Sequence, residues 1–336
     1  MKLLTIIGTR PQYIKIKPLY DYFKKYHINN ILVDTSQHYS ISVSSVFIKE
    51  FNLKIDYALS SNTTTPLLFI SSCIKLLDNI LDVEKPDCVI VIGDTNSTLA
   101  GSIAANKKNI KLVHIEAGIR CGDLNRPEEM NRILVDIMAD IHCIAREKDK
   151  NNVKNPIYIG DLEYVLLNEM EKNNCIHDFR YDNIFLMTIH RAENTNCHKL
   201  NKIFKLCSEI KENIIFPIHH RTKLVIEKCN MTIPKNVKII EPLSYLDMIN
   251  YLSIVRGIIT DSGGIVKISP FFGKKCLIPL ETTEWTEVVH EGYGKLGYDV
   301  DFLRYNIHIN RKKDFYLQNN CCELIIDNIN NEIFKS

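Results

Sequence analysis

Short apolar runs that alternate with longer amphipathic stretches are the feature that most constrains the fold of this 336-residue chain. Runs this short and rich in β-branched residues are typical of parallel strands that are buried on both faces. Because amphipathic segments separate the runs, the pattern predicts a doubly wound α/β fold. The clearest runs are Lys2–Ile7, Ile31–Val33, Cys88–Ile92, Leu112–Ile115, Ile141–Ala145, Ile184–Ile189, Ile214–Ile218, Val237–Ile240, Gly257–Thr260 and Cys276–Pro279.

The polar segment Glu171–Asp182 separates the first five runs from the last five. A chain of this length is too long for one small core and long enough for two α/β domains, so this segment is the predicted linker. We expect a Rossmann-like N-terminal domain over residues 1–170 and a Rossmann-like C-terminal domain over residues 183–315. Residues 316–336 are expected to contain a helix that packs back on the N-terminal domain.

The composition excludes several classes of partner. The 42 basic and 40 acidic residues leave a formal net charge of +2, which gives no electrostatic case for a nucleic acid or an anionic membrane. No apolar stretch reaches the roughly 18 residues that span a bilayer. The 11 cysteines stand at irregular positions without a C-x-x-C pair, so neither a disulfide framework nor a zinc site is expected. This cysteine usage favours a reducing, cytoplasmic location.

Polar or glycine-rich segments follow six of the predicted strands. In parallel sheets, ligands bind beyond the carboxyl ends of the strands, where loops lead into helices. One such segment is weak evidence for a site, but six are difficult to explain by solubility alone. The segments are GTRPQ from residue 8, GDTNS from 93, EAGIRCGD from 116, HRAEN from 190, HHRT from 219 and DSGG from 261.

Two of these segments have the chemistry of anion sites. After Asp261, the turn Ser262–Gly264 opens a predicted helix, whose N–H groups and dipole favour an anion such as a diphosphate. An ordinary helix cap with a tight turn is the alternative. Near the first strand, Arg10 and Lys15 could neutralise a leaving phosphate, the alternative being that both cations are simply solvated.

Three carboxylates, Asp94, Glu116 and Glu128, are the candidates for general acid–base chemistry. Asp94 and Glu116 follow buried strands, whereas Glu128 stands at a predicted helix start, where an acid is favourable in any case. Arg132 is a candidate substrate ligand or only the i,i+4 partner of Glu128. His190 and His219 follow strands of the second domain and suit phosphate or sugar; the alternative is a structural role. No ligand cluster for a metal is visible.

The ordered set of motifs resembles the non-hydrolysing UDP-N-acetylglucosamine 2-epimerases. The set is GTRPQ-x-x-K, GDTNST, HIEAGIRCGD, RPEEMNR, HRAEN, PIH, EPLSYLDM, DSGG and TTEW, and it runs from Gly8 to Trp285, over most of the chain. The HRAEN and TEW variants look most like the branch that epimerises modified UDP-sugars, such as diacetamido-uronic acids and 2-acetamido-2,6-dideoxy-L-hexoses. UDP-L-rhamnosamine-type and UDP-L-fucosamine-type sugars belong to the last class, which is the preferred substrate class.

The resemblance implies the GT-B fold, in which two Rossmann-like domains close on a UDP-sugar in the cleft between them. It implies a cofactor-free epimerisation by elimination and re-addition of UDP, and a homodimer. By matching positions, Asp94, Glu116, Glu128 and His190 are the expected catalytic residues. The expected substrate-binding residues are Arg10, Lys15, Arg132, His219, Asp261, Ser262, Gly263, Gly264, Thr283 and Glu284.

Three positions depart from the family pattern. Gln12 stands where the family often has a glutamate, Ile268 where a glutamate grips the ribose, and Leu280 where an arginine is usual. A different mode of ribose binding is therefore expected, while the acid–base set is intact. The alternatives are a hydrolysing epimerase, a GT-B glycosyltransferase, and a non-catalytic UDP-sugar-binding protein. No nicotinamide, metal or pyridoxal requirement is expected, because GTRPQ lacks the G-x-G-x-x-G fingerprint.

Overall fold

The computed structural model describes residues 1–37, 41–61, 64–176, 183–304 and 309–334. This part of the chain folds into two compact units. Unit 1 comprises Met1–Leu167 together with Tyr316–Ser336, and unit 2 comprises Asn168–Phe315.

Unit 1 alternates strands with helices along most of its length. Its strands β1 and β4 are buried at nearly every position, because the sheet is covered on both faces. The elements are β1 (Lys2–Ile7), α1 (Arg10–Lys25), β2 (Asn29–Asp34), α2 (Ile41–Glu50), β3 (Tyr57–Ala58), α3 (Pro66–Glu84), β4 (Cys88–Ile92), α4 (Asn96–Lys107), β5 (Lys111–Ile115), α5 (Pro127–Met138), β6 (Ile141–Ile144), β7 (Pro156–Tyr158) and α6 (Leu162–Lys172), whose last five residues are assigned to unit 2.

Unit 2 repeats the same alternation. Its elements are β8 (Ile184–Thr188), α7 (Cys197–Ser208), β9 (Asn213–Pro217), α8 (His220–Lys228), β10 (Val237–Ile240), α9 (Tyr245–Ile254), β11 (Gly257–Thr260), α10 (Gly263–Phe272), β12 (Lys275–Ile278), α11 (Thr286–His290), β13 (Gly294–Leu296) and α12 (Asp301–Arg304). The final helix α13 (Cys321–Ile333) belongs to unit 1, where it contacts β6 and α1.

Both sheets are parallel and share one topology. Across the described residues, the strand order is β3-β2-β1-β4-β5-β6-β7 in unit 1 and β10-β9-β8-β11-β12-β13 in unit 2. The order reverses beside β1 in unit 1 and beside β8 in unit 2. Ligands of doubly wound sheets bind at such switch points, outside the carboxyl ends of the strands. The loops after β1 and β4, and those after β8 and β11, therefore flank the best-placed sites of the two units.

The ten predicted strands are present, with ends shifted by two residues or fewer. The sequence did not predict β3, β7 and β13, because segments of two or three residues at or near a sheet edge are too short to show a periodicity. The start of the predicted linker, Glu171 and Lys172, belongs to helix α6, and residues 177–182 lie outside the described residues.

The cysteine pattern needs one correction. A disulfide bond joins Cys197 at the start of α7 to Cys229 at the end of α8, with 6.1 Å between their Cα atoms. No sequence feature indicated this pair, because 32 residues separate the two cysteines and no spacing motif links them. Within the described chain, the other nine cysteines are thiols. Among the described residues, no helix is long and apolar enough to cross a membrane.

Candidate functional site

Gln12 connects the two loops that flank the switch point of unit 1. Its side-chain oxygen accepts from the backbone N–H groups of Gly8 (2.8 Å) and Thr9 (3.1 Å), beyond β1. Its amide nitrogen donates to the carbonyl of Ile92 (2.8 Å), at the end of β4. An ionised glutamate could not make the second bond, because it has no donor. The buried Gln12 is therefore a structural link, and its departure from the family pattern has a physical reason.

Asp94 forms an ion pair with Arg132 just beyond β4. The guanidinium nitrogen Nη2 of Arg132 lies 2.5 Å from Oδ2 of Asp94, and Nη1 lies 3.0 Å from Oε2 of Glu129. Asn131, on the same helix α5, donates to the backbone carbonyl of Asp94 (2.9 Å). The first turns of α5 thus hold the loop that carries Asp94 by both its backbone and its side chain.

Glu116 is held in an unusual backbone conformation at the end of β5. Its φ is +68°, in the left-handed region that costs a residue with a Cβ atom about 1–2 kcal/mol. Its carboxylate Oε2 lies 2.5 Å from the ammonium of Lys15 on helix α1. A Cβ atom built on Gly93 would lie 3.4 Å from the same oxygen. Glu116 is therefore strained and buried, and it lies over the loop that leads to Asp94, a combination that is common in active sites.

Glu128 and Glu129 are neighbours with opposite environments. Glu128 is exposed on the first turn of α5, whereas Glu129 is buried and accepts from the backbone N–H groups of Cys121 and Gly122. Burial acts to raise the pKa of Glu129, but these hydrogen bonds outweigh it and the pKa ends below its ordinary value. Glu129 therefore has a structural role as the anchor of the loop after β5.

Arg10 lies near the ring of Phe47, with 5.9 Å between its Cζ and the ring centroid. Burial lowers the pKa of its guanidinium, which nonetheless stays charged at any physiological pH. A charged group held against an aromatic ring keeps a defined orientation at the start of α1.

Asp261 does in unit 2 what Gln12 does in unit 1. Its buried carboxylate accepts from the backbone N–H groups of His190 (3.0 Å) and Arg191 (3.0 Å) and from Nδ2 of Asn194 (3.1 Å). Nδ1 of His190 lies 3.2 Å from Oδ1 of Asp261. Burial acts to raise the pKa of Asp261, but the contacts with His190 and Asn194 outweigh it and leave the pKa low. The carboxylate thus ties the loop after β8 to the end of β11. Its oxygens accept hydrogen bonds from groups of the protein itself.

The turn Ser262–Gly264 begins helix α10 beside a cluster of polar side chains. A Cβ atom on Gly263 would lie 2.7 Å from Oε1 of Glu284, which itself accepts from Arg191 (2.9 Å). A Cβ atom on Gly264 would meet only Oγ of Ser262, at 3.9 Å. A methyl group would therefore meet open space at position 264 but the side chain of Glu284 at position 263.

The remaining predicted residues of unit 2 lie near this turn or the loop after β9. The rings of His190 and His219 are 5.8 Å apart, and His219 caps helix α8 by accepting from the N–H of Arg221. Thr283 accepts from the N–H of Trp285 (3.2 Å). The two apolar departures from the family pattern, Ile268 and Leu280, are buried.

Each sheet therefore brings some of its predicted residues together near its own switch point. In unit 1 these are Asp94, Glu116, Lys15 and Arg132, joined in two ion pairs. Sequence reasoning missed the contributions of Asn131 and Arg191. Both stand inside the quoted motifs RPEEMNR and HRAEN, so the motifs themselves were the available signal.

A family model described as UDP-N-acetylglucosamine 2-epimerase matches residues 22–302. The chain belongs to this family. It is 37 % identical over 316 residues to a protein of Methanococcus maripaludis named UDP-N-acetylglucosamine 2-epimerase homolog, with 88 % of each chain covered. It is 36 % identical over 306 residues to the UDP-2,3-diacetamido-2,3-dideoxy-D-glucuronate 2-epimerase of Pseudomonas aeruginosa, with 86 % of each covered.

A solved structure of UDP-GlcNAc 2-epimerase from Methanocaldococcus jannaschii, in complex with UDP-GlcNAc and UDP, is similar to the whole chain. Its TM-score is 0.85 at 31 % identity, over 98 % of this chain and 100 % of that one. This likeness to the 2-epimerase family confirms the predicted α/β fold class of GT-B type. The family consists of isomerases that act on carbohydrates, which confirms the predicted class of enzyme.

Proposed function

We propose that this 2-epimerase family member interconverts two UDP-2-acetamido sugars that differ in configuration at C2. The observation that carries the proposal is the pair of carboxylate–cation contacts at the switch point of unit 1, Glu116 with Lys15 and Asp94 with Arg132. In each contact, a carboxylate that can move a proton is paired with a cation that can stabilise a leaving anion.

The chemistry of the sugar explains why both kinds of group are needed. The hydrogen on C2 is not acidic, since no carbonyl group adjoins that carbon in the ring. A base removes this proton while the C1–O bond to the diphosphate breaks, giving a C1=C2 double bond and free UDP. Protonation of C2 on the opposite face, with return of UDP to C1, completes the inversion. The enzyme needs a base, an acid and stabilisation of the departing diphosphate.

The roles in unit 1 follow from the environments of its side chains. Glu116, Asp94 and the exposed Glu128 are the proposed acid–base groups. Lys15, Arg132 and Arg10 are the proposed cations for the departing diphosphate. The left-handed backbone of Glu116 supports its role, because strain is retained where the surrounding structure needs a side chain in one place.

Unit 2 is the proposed binding site for the nucleotide. The N–H groups at the start of α10 and the open space over Gly264 suit a diphosphate. His190, His219, Ser262, Thr283 and Glu284 are the proposed polar ligands around it. Asp261 supports this site indirectly, by fixing the loop that carries His190.

A homodimer is the proposed assembly. Helix α5 exposes Met130, Leu134 and Ile137, three apolar side chains at i, i+4 and i+7 on one face, with exposed fractions of 41 %, 39 % and 74 %. An apolar stripe of this kind on a surface helix is typical of an interface. Sedimentation velocity on the wild type and on Leu134→Glu with Ile137→Glu tests it; a monomeric wild type removes the proposal.

The function is tested by incubating the protein with UDP-2-acetamido sugars in deuterated water and following the mixture by NMR. The panel contains UDP-GlcNAc, UDP-2,3-diacetamido-glucuronate and the UDP-2-acetamido-2,6-dideoxy-L-hexoses, which are the preferred substrates. We expect a second epimer to form, with deuterium at C2 in both epimers. Epimerisation with retention of the original C2 hydrogen would rule out the mechanism. Net release of UDP with free sugar would indicate a hydrolysing enzyme, and UDP binding without exchange would indicate a binding protein.

A further inference from the structure

A fully buried histidine, His114, lies behind the two loops that carry the proposed acid–base carboxylates. It belongs to strand β5, two residues before Glu116. Its Nε2 lies 2.8 Å from the carbonyl oxygen of Gly93, the residue that precedes Asp94. Its Nδ1 lies 2.6 Å from Oδ1 of Asp136 on helix α5. The ring thus contacts the loop after β4 and helix α5, and it lies on the strand that leads to Glu116.

The partners of the ring determine its charge. A carbonyl oxygen can only accept a hydrogen bond, so Nε2 must carry a proton. The other oxygen of Asp136 accepts from the N–H of Gly118 (3.1 Å) and from Arg120 (2.7 Å), as an ionised carboxylate does. Burial acts to raise the pKa of Asp136, but His114 and Arg120 outweigh it and hold the pKa low. An ionised Asp136 accepts a hydrogen bond from Nδ1 as well, so both ring nitrogens face acceptor oxygens.

The geometry points to His114 as a positioning residue, a buried imidazolium that fixes the Gly93–Asp94 loop to helix α5 through Asp136. Helix α5 also carries Arg132, the partner of Asp94, so the link sets Asp94 and Arg132 relative to each other from behind. Hydrogen bonds between charged groups are shorter and about twice as strong as neutral ones. A misplacement of about 1 Å at a reacting group costs about 100-fold in rate.

This inference rests on the proposed function, because positioning matters only if Asp94 reacts. An ordinary core histidine is the competing explanation, and the chain offers a matched control for it. His142 is the neighbour of His114 in register on strand β6, is buried, and donates from Nε2 to the backbone carbonyl of Asp136 (2.7 Å). Within the described residues, its ring nitrogens bond to neither Gly93 nor the carboxylate of Asp136.

The first test is the protonation state of the ring in the wild-type protein. A nitrogen-15 NMR spectrum of protein labelled in its 11 histidines is recorded, and the His114 signals are identified by through-bond correlation of the ring with the backbone resonances of His114. We expect both ring nitrogens to carry protons and to resonate close together, as in an imidazolium. Signals split between a protonated and an unprotonated nitrogen would overturn the inference, whatever the enzyme does.

The second test separates positioning from binding and from folding. His114→Gln and Asp136→Asn are each expected to lower kcat at least about tenfold, while the Kd for UDP changes by a smaller factor than kcat, since the proposed main nucleotide site lies in unit 2. His142→Gln should keep kcat within about threefold of the wild type. A folded His114→Gln protein with wild-type kcat, or an equal loss in His142→Gln, would contradict the positioning role.

Folding of the variants is checked by circular dichroism before kinetics. If His114→Gln does not fold, Asp136→Asn carries the kinetic test; if neither folds, the wild-type spectrum decides. A wild type that turns over no UDP-sugar removes the proposed function, while the NMR result still decides the charge of His114. The two failures are thus distinguishable.

Discussion

The ammonium of Lys15 lies 2.5 Å from Oε2 of Glu116, so helix α1 brings a cation directly onto a carboxylate that follows β5. Both side chains are largely buried, and 101 residues separate them in the sequence. A pair held in this way suits the proposed reaction, in which a proton and an anion leave one substrate together.

Replacing Lys15 by methionine should lower kcat at least about 100-fold, because the proposed leaving diphosphate loses a cation and Glu116 loses its partner. Lys17, two residues further along α1, pairs with Asp21 and is the matched control. Lys17→Met is expected to keep kcat within about twofold of the wild type. Steady-state kinetics on the two variants decide the matter, and equal effects would mean that only the charge of α1 matters.

The strained backbone of Glu116 predicts an unusual order of stability. Glu116→Gly and Glu116→Ala both remove the ion pair with Lys15, but only glycine relieves the left-handed conformation. Glu116→Gly should therefore be the more stable variant by about 1 kcal/mol, although both should be inactive. Urea denaturation followed by circular dichroism measures the difference. An alanine variant at least as stable as the glycine variant would show that the site stores no strain.

Substitutions of the adjacent acids Glu128 and Glu129 on helix α5 should affect kcat and stability separately. Glu128→Gln is expected to lower kcat about 100-fold and to leave the melting temperature unchanged, because Glu128 is exposed. Glu129→Gln should lower the free energy of unfolding by about 1–3 kcal/mol, since Glu129 is buried and accepts from the N–H groups of Cys121 and Gly122. Near-normal turnover in Glu128→Gln would remove it from the acid–base set.

The glycine turn of unit 2 should respond differently at its two glycines. Gly264→Ala adds a methyl group to open space and should leave stability intact, yet weaken UDP binding at least about tenfold if the diphosphate lies there. Gly263→Ala should lower stability as well, because its methyl group displaces Glu284 from Arg191. Calorimetric titration with UDP tests both. Unchanged UDP affinity in both variants would place the nucleotide elsewhere.

Asp261 should make the stability of unit 2 depend on acid. Its pKa is lower in the folded state than in the unfolded one, so its contribution is complete above the unfolded pKa of about 3.9 and is lost as the pH falls through the folded value. Asp261→Asn should therefore be less stable than the wild type at pH 7, and the gap should narrow below about pH 4.

Trp285 is the single tryptophan and lies in unit 2, so its fluorescence reports the unfolding of that unit. Urea denaturation at a series of pH values measures the gap between Asp261→Asn and the wild type. The exposed Asp301, in the same unit, is the control, and Asp301→Asn should change stability by less than about 0.5 kcal/mol. A gap that stays constant down to pH 3 would mean that Asp261 is not the acid-sensitive group.

The sequence by itself was sufficient for the α/β class, the position of ten strands and the family. Buried parallel strands leave a local signal, because each is a short run of apolar residues, and the motifs at their carboxyl ends are contiguous in the chain. The same signal failed for β3, β7 and β13, where a strand is too short to differ from a loop.

Only the tertiary structure decided which side chains act on one another. Nothing in the sequence indicates that Asp261, a predicted ligand for substrate, accepts from the loop of His190, or that Gln12 links two strand ends. The pairing of Cys197 with Cys229 left no sequence signal. Contacts of this kind join residues that are distant in the chain, and their energies depend on distance, burial and hydrogen-bond geometry. These quantities are defined only in the folded chain, where the strands pack side by side.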